Sequence, residues 1–108
     1  MARSVTWTEG AADEFDAAAS YIAQASRVYA SSFAHEIRLA SESLREFAER
    51  GRLVPEVEDP TVREIFVRKY RMVYRVVGDR VWILALIHGH RDFMTAWRQQ
   101  GRGVKSAE

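Results

Sequence analysis

Residues 70–93 read YRMVYRVVGDRVWILALIHGHRDF, and the period of this stretch decides the fold. Met72, Tyr74 and Val76 alternate with Arg71, Val73, Arg75 and Val77, so one strand face is more apolar than the other. Gly78-Asp79 suits a two-residue hairpin turn, with glycine supplying a positive φ. The run Val81–Ile87 that follows is apolar on both faces, the mark of a central strand covered on at least one side. Upstream, Ile65 and Val67 alternate with Glu64, Phe66 and Arg68, and a tight connection is expected at Lys69-Tyr70. The C-terminal half is therefore predicted to be a run of three antiparallel strands.

The N-terminal half has a different period. Val5 and Trp7 mark a short first strand, and Thr8 can cap a helix over Glu9 to about Ala25, with Ala12, Phe15, Ala19 and Ile22 on one face. Ser26 is the next cap. A second helix is expected over about Arg27 to Glu49, because Phe33, Ile37, Ala40, Leu44 and Phe47 recur at steps of four and three. So short a link makes the two helices an antiparallel hairpin. Gly51 ends the second helix, and Pro55 and Pro60 forbid its continuation. The expected order is β-α-α-β-β-β: an α+β domain over residues 1–98 with a helical hairpin on one face of a mostly antiparallel sheet, followed by a flexible tail at 99–108.

The totals narrow the function classes. A chain of 108 residues with 47% hydrophobic content supports one core, and the absence of cysteine excludes disulfides, thiolate metal sites and a cysteine nucleophile. No apolar run is long enough to span a membrane, and the N-terminus has no apolar signal-peptide core, so a cytoplasmic location is expected. Net charge is +1, but residues 1–60 carry 6 Lys/Arg against 11 Asp/Glu while residues 61–108 carry 10 against 4. A polyanion or an acidic partner is thus a reasonable ligand for the second half, as is a sheet whose wet face happens to be rich in arginine.

His88, His90 and Asp92 alternate and include ligand types that zinc or iron accept, but no fourth convergent ligand is visible and no metal or cofactor is assigned. His35 lies among charged residues of the second helix and reads as a solvated side chain. Glycine-rich phosphate loops, nucleophile elbows and paired carboxylates have no candidates. What remains is a basic sheet face with imidazoles, comprising Arg68, Arg71, Arg75, His88, His90 and Arg91. Arginines grip phosphates and a histidine moves a proton near neutrality, so RNA cleavage and plain binding both stay open on the residues alone.

The words REIFV, YRMVYRV, LIHG and the following RD with an apolar residue resemble the ParE branch of the RelE/ParE superfamily, the toxins of bacterial type II toxin–antitoxin modules. The resemblance covers Val5 to about Phe93 and implies the same β-α-α-β-β-β fold. RelE-like members cut messenger RNA on the ribosome, and the resemblance places Arg71 and Arg91 at two of their arginine positions. Their lysine pair falls near Glu64 and Phe66, and their tyrosine falls near Trp97. These departures weaken the ribonuclease alternative, in which Arg71, Arg91, His88 and His90 would form the site.

ParE-like members act on DNA gyrase without catalytic residues of their own, which is the reading the resemblance favours. It further implies a cognate antitoxin whose acidic or amphipathic C-terminal segment folds onto the toxin, giving a toxin–antitoxin hetero-oligomer, with direct nucleic-acid binding by the toxin left open. Expected partner-binding residues are Arg68, Arg71, Arg75, Arg91, Trp97, Tyr29, Val54 and Val57. For Val54, Val57 and Tyr29 taken singly, closing the core beneath a loop is the favoured reading. A third reading is an inactive module retained within a DNA-bound repressor complex.

Overall fold

A computed structural model of the chain describes residues 2–89 and 91–99. Five strands form one mixed sheet in the order β1-β5-β4-β3-β2, made of β1 (Ser4–Trp7), β2 (Arg52–Leu53), β3 (Val62–Val67), β4 (Tyr70–Val77) and β5 (Arg80–His88). Every pairing is antiparallel except β1 with β5. Helices α1 (Glu9–Ala25) and α2 (Arg27–Ser43) form the expected hairpin on one face, and a third helix, α3 (Phe93–Gln99), covers part of the other.

The helix signals act as read. Thr8 Oγ1 accepts from the Ala11 amide at 3.2 Å. Ser26 serves both helices: its amide donates to Ile22 O and its Oγ accepts from the Tyr29 amide at 3.0 Å. One residue therefore ends α1 and starts α2, which forces the antiparallel arrangement.

The second helix is shorter than its apolar spacing suggests. It stops at Ser43, and a 3-10 turn over Ala48–Arg50 follows. Ser41 Oγ and Ser43 Oγ donate to Arg38 O and Ala40 O, and Ser43 Oγ also accepts from Arg50. Serine hydroxyls that bond back onto the last helical carbonyls weaken continuation of the helix. The seam holds through Phe33, Ile37 and Leu44, but Phe47 is 63% exposed and Ala48 is buried instead.

The β3–β4 turn also lies one residue earlier than expected, at Arg68-Lys69, with Arg68 at φ +54°. Along β5, Val73 pairs with Ala85 while Tyr74 pairs with Ile83, so β5 carries one extra residue there. That bulge turns Val81, Ile83 and Leu86 towards the helices and Ala85 and Ile87 towards the opposite face. The doubly apolar run at 81–87 is thus buried from both sides.

Two clusters follow from this layering. Between hairpin and sheet lie Phe33, Ile37, Leu44, Ile65, Met72, Tyr74, Ile83 and their neighbours. Beneath α3 lie Val54, Val62, Val73, Ala85, Ile87, Phe93, Ala96 and Trp97. The third helix was not expected from the sequence, although Asp92 followed by Phe93, Ala96 and Trp97 is a cap and an apolar stripe. Thr95 Oγ1 and the Met94 amide both donate to the Asp92 carboxylate. Of the expected tail, Gln99 ends α3 and residues 100–108 lie outside the described residues.

Candidate functional site

The strand register divides the six basic residues expected on one face. Arg71 pairs with Ile87 and Arg75 with Trp82, so both point away from the hairpin, on the α3 side. Tyr70 pairs with His88, which places His88 on the hairpin side. Arg68 leaves the sheet at its left-handed turn and reaches α2, and Arg91 borders a cleft with Glu14, Tyr21, Tyr70 and His88. The expected single basic face is therefore two separate sites. Neighbours along a strand alternate faces, and the bulge in β5 carries His88 to the face opposite Arg71. His90 lies outside the described residues.

On the α3 side the centre is a carboxylate, not a cation. Glu64 is 1% exposed and accepts from Arg71 Nε at 2.6 Å and from Arg52 Nε at 2.7 Å. Arg71 turns its other two nitrogens to Glu56, at 3.1 and 2.7 Å, and its guanidinium lies 4.2 Å from the centroid of the Phe93 ring. Its side chain is 12% exposed. The Arg71 hydrogen bonds hold the Glu56 carboxyl below its usual range against the opposing effect of desolvation, and in return Arg71 is pushed above the ordinary arginine value. Arg75 donates to Asp59 at 3.0 Å, and hydrogen bonds from Thr61 keep Asp59 below the usual carboxylate range.

Both acidic partners come from the segment between the two prolines, from which the sequence singled out Val54 and Val57 but neither Glu56 nor Asp59. Val54 is 2% exposed and Val57 is partly buried, so both close the second cluster beneath that segment. Trp97, expected as a contact residue, is 3% exposed and stacks on Phe93 with centroids 5.6 Å apart. It belongs to the core because α3 folds back over the sheet.

The hairpin side presents a cleft of about 400 Å³, lined by Tyr21, Ile22, Tyr29, Phe33, Tyr70 and His88, with Arg68 and Lys69 at its rim. Arg68 grips both oxygens of Glu36, at 2.9 and 2.7 Å, bonds Ser32, and lies 4.4 Å from the Tyr29 centroid. The Arg68 hydrogen bonds lower the Glu36 pKa, while burial raises that of the Tyr70 phenol. Tyr21 and Tyr29 remain largely exposed, as does Leu39 on the outer surface of α2. Asp92 is engaged in capping α3, and no metal-ligand cluster of three or more acidic, histidine or cysteine side chains occurs among the described residues.

Sequence comparison matches residues 5–93 to the family model for the ParE toxin of type II toxin–antitoxin systems, parDE. Among solved structures, the chain is similar to one described as the chromosomal ParDE TA system from P. aeruginosa. The two share 26% identity at a TM-score of 0.66, over 80% of this chain and 95% of the other. Comparison with curated protein sequences returns no match.

Proposed function

Since the chain belongs to the ParE toxin family of type II toxin–antitoxin systems, we propose that it acts in the cytoplasm by binding and poisoning DNA gyrase. A cognate antitoxin keeps it silent. The observation that carries this reading is the state of Arg71. An RNA-cleaving site needs unengaged cations where charge develops on the phosphate. Here Arg71 donates to two carboxylates and is stacked on Phe93. The positions that would carry lysines hold a buried carboxylate at Glu64 and an exposed ring at Phe66. His88 lies across the sheet from Arg71 and cannot exchange a proton with a phosphate held there. A toxin of this build acts by contact rather than by catalysis.

The antitoxin seat is the hairpin-side cleft. Its walls are aromatic and its rim carries Lys69 and, beside the adjoining cleft, Arg91, while Arg68 is already held by Glu36. An amphipathic acidic segment suits such a surface: apolar side chains enter between Tyr21, Tyr29 and Tyr70, and carboxylates face the rim. The solved relative's description as a ParDE TA system supports an antitoxin as the partner. Trp97 and Val54 take no part, because both are buried.

The test is purified toxin added to gyrase and, separately, to translating ribosomes. Inhibited supercoiling or trapped cleaved DNA, with messenger RNA left intact, is the expected outcome. Codon-linked cleavage of messenger RNA on ribosomes would overturn the reading.

A further inference from the structure

The cleft on the hairpin side is largely built before anything enters it. Phe33, 1% exposed, and the partly buried Tyr70 are its innermost rings, with centroids 5.1 Å apart. Phe15 backs Phe33 at 6.2 Å, and His88 stands nearly perpendicular to Tyr70 at 5.0 Å. Tyr29 is steadied by the Arg68 guanidinium, which is itself clamped on Glu36 and Ser32. Tyr21 completes the aromatic lining and is largely exposed, so it is free to close over a guest. A volume of about 400 Å³ lies at the small end of ligand pockets and suits one or two fused rings.

The polar groups of the cleft are few and point to one kind of ligand. The phenols of Tyr21 and Tyr70 have no hydrogen-bond partner among the described residues, and burial keeps the Tyr70 phenol in its protonated, donating form. Arg68 is occupied by both oxygens of Glu36, whereas Lys69 has no carboxylate partner among the described residues. The Lys69 backbone is fixed, since its carbonyl accepts from the Gly89 amide at 2.7 Å. A single unmet positive charge therefore stands at the rim of an aromatic cleft that also offers an O–H donor.

We propose that this cleft binds a small aromatic carboxylate, with its ring among Tyr21, Tyr29 and Phe33 and its carboxylate on Lys69 and the Tyr70 hydroxyl. Aromatic rings also attract organic cations, but Lys69 would repel one and Glu36 is already engaged. A phosphate dianion is poorly matched, because the guanidinium fork at the rim is taken. A bound carboxylate would hold an antitoxin segment out of the same cleft. That consequence rests on the antitoxin seat proposed above, whereas the ligand site itself does not.

The experiment is a proton–nitrogen NMR titration of the full chain with 2-naphthoate. A ligand of about 13 non-hydrogen atoms is expected to bind with a dissociation constant on the order of 0.1–1 mM. Saturating shifts should appear at the Tyr21, Tyr29, Lys69 and Tyr70 amides and not at Val62 or Trp97, on the far side of the sheet. K69M, which keeps the aliphatic stem, should weaken naphthoate about fivefold and leave the neutral 2-naphthamide unchanged. Y70F keeps the ring and should also weaken naphthoate about fivefold. Naphthamide or 2-naphthylmethylammonium binding as tightly as naphthoate, or either variant binding it like wild type, would overturn the proposal. So would the lack of saturating shifts up to about 5 mM ligand. Cognate antitoxin added to the naphthoate-bound toxin then tests the shared seat, and release of the ligand is expected. Antitoxin binding with naphthoate retained would refute the shared seat and leave the ligand site standing.

Discussion

Replacing Arg71 by alanine separates a structural arginine from a catalytic one. The side chain joins four elements: β4, which carries it, β3 through Glu64, the proline-bounded loop through Glu56, and α3 through Phe93. Breaking a fully buried ion pair from one side costs about 3–5 kcal/mol. Glu64 keeps its bond from Arg52, so roughly 2–3 kcal/mol is the fitting share for that contact. The Glu56 pair lies near solvent and adds at most about 1 kcal/mol. Stacking on Phe93 adds about 1 kcal/mol more. The expected loss is therefore about 4 kcal/mol, a large part of the roughly 5–15 kcal/mol that holds a small domain folded.

The assay is urea unfolding followed by circular dichroism. With a slope near 2 kcal/mol per molar, the midpoint should fall by roughly 2 M. A companion variant, R71M/E64M, removes both charges and keeps the volume. It should recover much of the loss, since paired apolar replacement of a buried ion pair is commonly near neutral. Arg52, half exposed, can then turn to water. An R71A midpoint within about 0.5 M of wild type, or a double variant no better than the single, would refute the structural reading of this arginine.

Three further outcomes are expected. G51A brings a methyl group to 2.5 Å from the Tyr74 hydroxyl and 2.6 Å from Glu64 O, so it should cost about 1–3 kcal/mol in the same unfolding assay. F47A should change stability by less than about 0.5 kcal/mol because the ring is exposed, whereas F33A should cost about 3–5 kcal/mol. Equal losses would restore the long second helix. Glu56 and Asp59 have folded-state pKa values below their unfolded ones, so what they contribute is complete at neutral pH and is lost as pH falls through and below about 4. Urea midpoints of wild type and E56Q/D59N should therefore converge on acidification, and a difference that persists at pH about 3 would contradict the sign.

Much of the fold is written in local patterns. Thr8 and Ser26 announced both helix starts, because a cap needs only its own hydroxyl and an amide three residues on. The alternation through residues 62–77 placed β3 and β4, and Gly78 took the positive φ that its turn requires. The end of α2 was misread because Phe47 fits the seam by spacing, while the serine hydroxyls that draw the last turn away carry no periodic signal. Helix α3 was missed although Asp92 and the Phe93, Ala96, Trp97 spacing were present. Seven residues form a helix here because a sheet face is there to receive them.

The candidate site was harder to read. Arg68, Arg71, Arg75, His88 and Arg91 were identified but Arg52 was not, and nothing in one strand tells which cation faces which carboxylate. Glu56 and Asp59 lie 15 and 16 residues from their arginines. That Glu64 would be buried between two arginines depends on β2 pairing beside β3.

By itself, then, the sequence determined the secondary elements, their order and the family, since these rest on periodicity, caps and turns that act over a few residues. The tertiary structure decided which face each charge occupies. A single extra residue in β5 reverses the alternation along that strand, and only the assembled sheet brings the acidic loop onto Arg71 and Arg75 while turning Arg68 and His88 to the opposite side.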